Sequence, residues 1–143
     1  MVVDVQGGDA PLRYFIEDAS QQVLERLMPG AYHNLHLTVE VIDGLLESEG
    51  VSGDCLPEDD FRSQYFDIRL DYGSDSDLIA RTLVHELVHV KQYATGELRQ
   101  FSNGRYRYKR EVFPRDYAYH LRPWEIEASS LERQLLENIT CVF

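Results

Sequence analysis

Apolar residues recur at helical spacing over residues 11–28, at Leu12, Phe15, Ile16, Ala19, Val23 and Leu27. Pro11 suits a first helical turn, and Met28-Pro29-Gly30 closes the segment. Residues 35–43 change period: Leu35, Leu37, Val39 and Val41 alternate with His36, Thr38 and Glu40, the pattern of a half-buried strand. Residues 64–72 repeat that pattern with Phe66, Ile68 and Leu70 on one face. Between them, residues 44–60 are rich in Gly, Ser, Asp and Glu and read as a connection. Ser74 and Asp77 have capping-box spacing, which predicts a helix opening near Asp75 and running to about Thr95, with Gly96 as its C′ residue. Asn103-Gly104 between the alternating runs of residues 98–113 predicts a hairpin. Pro123-Trp124 opens a last helix. Residues 1–10, with Gly7, Gly8 and Asp9, read as a loose arm.

The predicted order is helix, two strands, long helix, hairpin, helix. It implies an α+β fold with one small mixed sheet, in a single domain spanning residues 1–143. The composition, 43% apolar, allows a packed core without staples. A formal charge of −11 argues against general affinity for DNA or anionic membranes. No stretch is long and apolar enough for a membrane span, and no secretory signal is visible, so a cytoplasmic location is expected. Cys55 and Cys141 lie far apart and form no CxxC; free thiols are the simpler reading than a disulfide.

The candidate chemistry lies in the long helix, in His85-Glu-Leu-Val-His89. At about 100° per residue, His85 and His89 fall within about 40° of each other, with Gln92 near the same face. Leu83, Leu87, Val90 and Ala94 form a stripe on the opposite side. Two imidazoles one turn apart can share a metal ion, and Glu86 sits beside them, placed to take a proton from a metal-bound water without ligating. With 5 His in 143 residues, chance supplies an HExxH roughly 0.015 times per chain of this composition. The bland alternative is a pair of satisfied surface histidines.

Zinc needs a third protein ligand. Candidates downstream are His120, Glu125 and Glu127, with Glu97 and Glu111 weaker. Glu125 and Glu127 flank the apolar face of the last helix (Trp124, Ala128, Leu131, Leu135) on opposite sides, so periodicity does not choose between them. Small residues Ala128, Ser129 and Ser130 would let that helix approach the HELVH helix closely.

HELVH followed some 35 residues later by an E-x-E-A helix resembles the zincin metallopeptidases of the glutamate-ligand branch, and is similar to small single-domain ImmA/IrrE-like peptidases. The resemblance implies Zn2+ on His85, His89 and Glu127, with Glu86 as general base in peptide hydrolysis. It also implies a strand before the active-site helix, here 64–72, lining the cleft. The thermolysin-like Asn-Glu-x-x-x-Asp form and the three-histidine HExxHxxGxxH pattern are both absent. Tyr117, Tyr119 and His120 precede the last helix; Tyr119 and His120 are nearest to its start and are candidate catalytic donors to an oxyanion.

Two other readings compete. The domain could be a non-catalytic binding module, in which a fourth protein ligand such as His120 or Glu125 closes the metal site. Alternatively, Arg105, Arg107 and Lys109, predicted on one strand face opposite Tyr106 and Tyr108, could bind single-stranded nucleic acid or an acidic peptide, the former making the chain a nucleic-acid-associated protease acting through residues 105–110. The plainer reading of that segment is a solvated basic face with tyrosines packed inward.

Overall fold

The computed structural model describes residues 1–73 and 75–140. Ser74, half of the expected capping box, and Cys141 lie outside the described residues. The chain runs β1 (Val2–Gln6), α1 (Ala10–Leu27), β2 (His36–Ile42), α2 (Leu45–Glu49), β3 (Gly53–Pro57), β4 (Tyr65–Asp71), α3 (Ser76–Ala94), β5 (Leu98–Gln100), β6 (Tyr106–Tyr108), β7 (Glu111–Phe113) and α4 (Pro123–Glu137). The fold is mixed α and β, as the α+β reading expects. It holds two sheets instead of one: a four-stranded mixed sheet in the order β1-β2-β4-β3, and a three-stranded antiparallel sheet β5-β6-β7. No helix among the described residues is long and apolar enough to cross a membrane.

The elements with strong local periodicity fall where their patterns put them. In β2 and β4, Leu37, Val39, Val41, Phe66, Ile68 and Leu70 are buried on one face. The sheet core joins the buried face of α1 and the Leu83, Val84, Leu87, Val88 and Val90 side chains of α3. Asp9 caps α1 by accepting from the Leu12 amide at 2.9 Å, and Asp75 caps α3 by accepting from Leu78 at the same distance.

Two strands were not visible in the pattern. The expected loose arm is β1, which pairs in parallel with β2 from Val2↔His36 to Gln6↔Glu40. Its partner lies across the whole of α1, so no local turn announces it. The expected connection contains β3, an edge strand antiparallel to β4. β3 is tied down by Asp54, which accepts from Arg69 Nε at 2.9 Å, while Arg69 Nη1 donates to Glu49 at 2.7 Å. β4 is thus internal and β3 forms the free edge, which corrects the expectation that residues 64–72 line the cleft.

The expected hairpin is present and extends into a third strand. Gly104, at φ +88°, turns the chain between β5 and β6. Lys109, at φ +56°, turns it again into β7. Leu98, Tyr108 and Phe113 close over Trp124 as a second small core.

Gly53 fixes how closely β3 approaches α3. A Cβ there would lie 2.6 Å from Thr82 Cγ2 and 2.8 Å from the Arg69 carbonyl oxygen. Because one of those neighbours is backbone, Gly53→Ala is expected to cost about 2 kcal/mol in chemical denaturation. An unchanged denaturation midpoint would show that the two elements can separate freely.

Candidate metal centre

α4 packs along α3 and brings Glu125 to the two histidines of α3. Glu125 Oε1 lies 2.9 Å from His85 Nε2 and 3.0 Å from His89 Nε2, and the two Nε2 atoms are 3.2 Å apart. Tetrahedral ligands at zinc distances of about 2.0–2.1 Å are about 3.3 Å from each other. The triangle therefore has the size, and the N, N, O donor set, that a metal ion of this kind takes. His85, His89 and Glu125 are 13%, 8% and 12% exposed at their side chains, so little water competes for the site.

The outer nitrogens fix what the inner ones do. His85 Nδ1 donates to Glu132 Oε1 at 2.6 Å. His89 Nδ1 donates to Gln92 Oε1 at 2.7 Å. The orientation of the Gln92 amide follows from its nitrogen, which donates to the Trp124 carbonyl at 3.0 Å and to Glu127 Oε1 at 2.9 Å. With both Nδ1 atoms protonated and engaged, each neutral imidazole presents an Nε2 lone pair to the centre. Two such lone pairs and a carboxylate oxygen converge on one point with no donor among them except the Tyr119 hydroxyl, which donates to Glu125 at 2.8 Å. A proton or a cation must occupy that point.

In the metal-free protein, protons do. Burial opposes charge on His85, but the hydrogen bond to Glu125, with Glu86 and Glu132 nearby, more than offsets it and holds the imidazolium up to about 9. His89 is shifted upward by the same balance of burial against Glu125. Burial would raise Glu125, yet the hydrogen bonds from His85 and His89 hold its carboxyl well below the usual range. Glu86 is 7% exposed and lines the cleft beside the triad. Burial pushes its carboxyl up to about 7, with the two imidazoles pulling the other way.

The structure places Glu127, the third ligand implied by the family resemblance, away from the histidines. Its carboxylate serves Gln92 and the buried Tyr108 hydroxyl. Glu125 takes the position beside the imidazoles because it lies on the flank of α4 that turns toward His85. Glu132, seven residues on, occupies the same flank and marks it. Glu132 and Gln92 are the two site residues that the sequence reading missed; the i, i+7 spacing and the projection of Gln92 beside the histidines were the available signals. Tyr119 reaches the centre, whereas His120 is exposed and does not line the cleft. Tyr117 packs on Phe113 at 5.1 Å, Glu97 pairs with Lys91, and Glu111 is exposed. Ala128 is fully buried, but Ser129 and Ser130 face outward.

The triad opens into a cleft of about 640 Å³. Gly53, Asp54, Cys55 and Leu56 of β3 form one wall, and Tyr106, Tyr119 and Trp124 contribute to the other. No protein-family model matches the chain, and searches of curated proteins and of solved structures return no match either.

If a metal ion binds at this cluster, Glu125→Ala should abolish its binding, while Glu132→Ala and Gln92→Ala should weaken it about 10- to 100-fold. Glu127→Ala should retain a full equivalent, as read by metal analysis after dialysis; loss of metal in Glu127→Ala alone would reverse the assignment. The proton balance gives a second expectation. A histidine whose folded pKa is raised stabilises the fold below its unfolded value near 6.5, and that stability is lost as pH rises through about 9. Metal-free protein should therefore lose stability between about pH 6.5 and 9, while zinc affinity rises over the same window as the competing protons leave. Thermal unfolding with and without a chelator reads both; a metal-free stability that rises with pH would contradict the proton assignment.

Proposed function

We propose that the chain is a zinc-dependent peptidase of the HExxH type, with His85, His89 and Glu125 as ligands and Glu86 as the proton carrier. The observation that carries this reading is the convergence of three acceptor atoms, each imidazole oriented through its Nδ1, at the wall of an open cleft. Two nitrogens and one carboxylate oxygen are a donor set that suits zinc. Bound there with one position facing the cleft, zinc would polarise a carbonyl and bring the pKa of a water near neutrality.

The chain's own residues supply the rest. Glu86 lines the cleft without joining the triad, and a carboxyl held near 7 can accept a proton at neutral pH and return it to a departing amine. The Tyr119 hydroxyl donates at the edge of the triad and is placed to stabilise negative charge building on a carbonyl oxygen. β3 carries an unpaired edge along the cleft, to which an extended peptide can add as a further strand. A non-catalytic site would be closed by a fourth protein ligand; among the described residues the cluster contains three, and His120 stands outside the cleft. The buried free thiol of Cys55 fits a reducing compartment, and we place the protein in the cytoplasm on that ground.

Glu86→Gln should keep one equivalent of zinc and lose peptide hydrolysis by at least about 100-fold. Turnover by this variant equal to wild type, measured on a peptide library read by mass spectrometry, would exclude Glu86 as proton carrier.

A further inference from the structure

The outer face of the β5-β6-β7 sheet carries a cluster that the cleft does not use. Arg99 and Arg107 are register partners across β5 and β6. Strand alternation puts them opposite Leu98 and Tyr108, which are buried against Trp124. Like charges directly across a strand pair destabilise a sheet. Among the described residues, carboxylates pair with Arg69, Lys91 and Arg133; Arg62, Arg99 and Arg107 are among the basic side chains that have no acidic partner. The Nε atoms of Arg99 and Arg107 are both buried and have no hydrogen-bond acceptor. These costs gather positive charge on one face of a chain whose net charge is −11.

Aromatic rings complete the cluster. The Arg99 guanidinium carbon lies 5.1 Å from the Phe61 ring centre and 5.0 Å from that of Phe101. Arg62 lies 5.6 Å from the same Phe61 ring. Phe61 nevertheless remains 45% exposed. Arg62 is held at φ +49°, a conformation that non-glycine residues rarely adopt. The loop reaches this position because Gly96, at φ +79°, has no side chain: a Cβ there would lie 3.1 Å from both Arg62 Nε and Phe61 Cε1.

We propose that this face binds single-stranded nucleic acid, with Arg99 and Arg107 taking the phosphodiester and the exposed Phe61 ring stacking a base. Paired guanidinium forks match phosphate oxygens, and an exposed ring flanked by guanidinium groups is a platform for a planar base. Of the three basic residues that alternation alone suggests, Arg107 lies on this face, whereas Arg105 is exposed outside the strands and Lys109 sits in the β6–β7 turn against Tyr108. Asp59 and Asp60 precede Phe61 and, with the acidic net charge, keep the affinity modest; the few phosphate contacts make it fall with salt along a shallow slope. The inference stands apart from the metal site and does not require the peptidase reading.

The test is fluorescence anisotropy of a labelled single-stranded oligonucleotide of about a dozen nucleotides at about 50 mM salt, with the full chain as purified. Wild type should bind, and the affinity should fall as salt rises. The double variant Arg99→Gln/Arg107→Gln and the single variant Phe61→Ala should each weaken binding about tenfold or more, with the thermal midpoint retained. If the double variant does not fold, Arg62→Gln on the exposed loop serves in its place and should weaken binding several-fold. Absence of wild-type binding, or binding that these variants leave unchanged, would overturn the proposal. So would competition by inorganic phosphate or a polyglutamate peptide as effective per charge as unlabelled oligonucleotide, since the site would then read charge without a base.

Discussion

Three acceptor atoms from two helices meet within 3.2 Å of one another between α3 and α4, and much of the remaining structure serves to hold them there. Carboxylates and imidazoles taken out of water together are costly unless each finds a partner. Here Glu132 and Gln92 engage the outer nitrogens, and Glu127 and the Trp124 carbonyl engage Gln92 in turn. The network crosses between the helices several times, so it sets their relative position as well as the tautomers. An α4 displaced by one residue would swing Glu125 about 100° away from the centre and break the network.

The two sheets divide the supporting work. The four-stranded sheet gives α3 an apolar bed through Leu83, Leu87 and Val90 and sends its edge strand β3 along the cleft. The three-stranded sheet encloses Trp124 with Tyr106, Tyr108 and Phe113, whose ring centres lie 4.9–5.9 Å from that of the indole. Trp124 stands immediately before Glu125, and its carbonyl holds Gln92. Packing around one aromatic side chain therefore positions the start of α4, and with it the carboxylate at the centre.

What the sequence revealed follows from where each signal lies. His85, Glu86 and His89 occupy one helical turn, so spacing alone placed both imidazoles on one face. The α1, β2, β4, α3 and α4 segments carry their own periodicity and fall within a residue or so of the expected bounds. β1 and β3 carry little local pattern; each becomes a strand because a partner distant in sequence supplies its hydrogen bonds. The choice between Glu125 and Glu127 depends on which flank of α4 meets α3, a tertiary fact, and the motif taken from the resemblance points to the flank that faces Gln92 and Tyr108. Glu132 on the Glu125 flank is the local sign of the flank that meets His85. Tyr119 was within reach on sequence proximity, but its neighbour His120 projects outward from the same turn, a distinction that only the backbone path makes.

X-ray absorption spectroscopy at the zinc edge of protein incubated with zinc tests whether a metal ion occupies the point where His85, His89 and Glu125 converge. The expected spectrum shows a four-coordinate shell of nitrogen and oxygen at about 2.0–2.1 Å, with the outer-shell scattering of two imidazoles and no sulfur. A zinc–sulfur distance of about 2.3 Å, which would bring in a cysteine, or a shell without imidazole scattering, would contradict it.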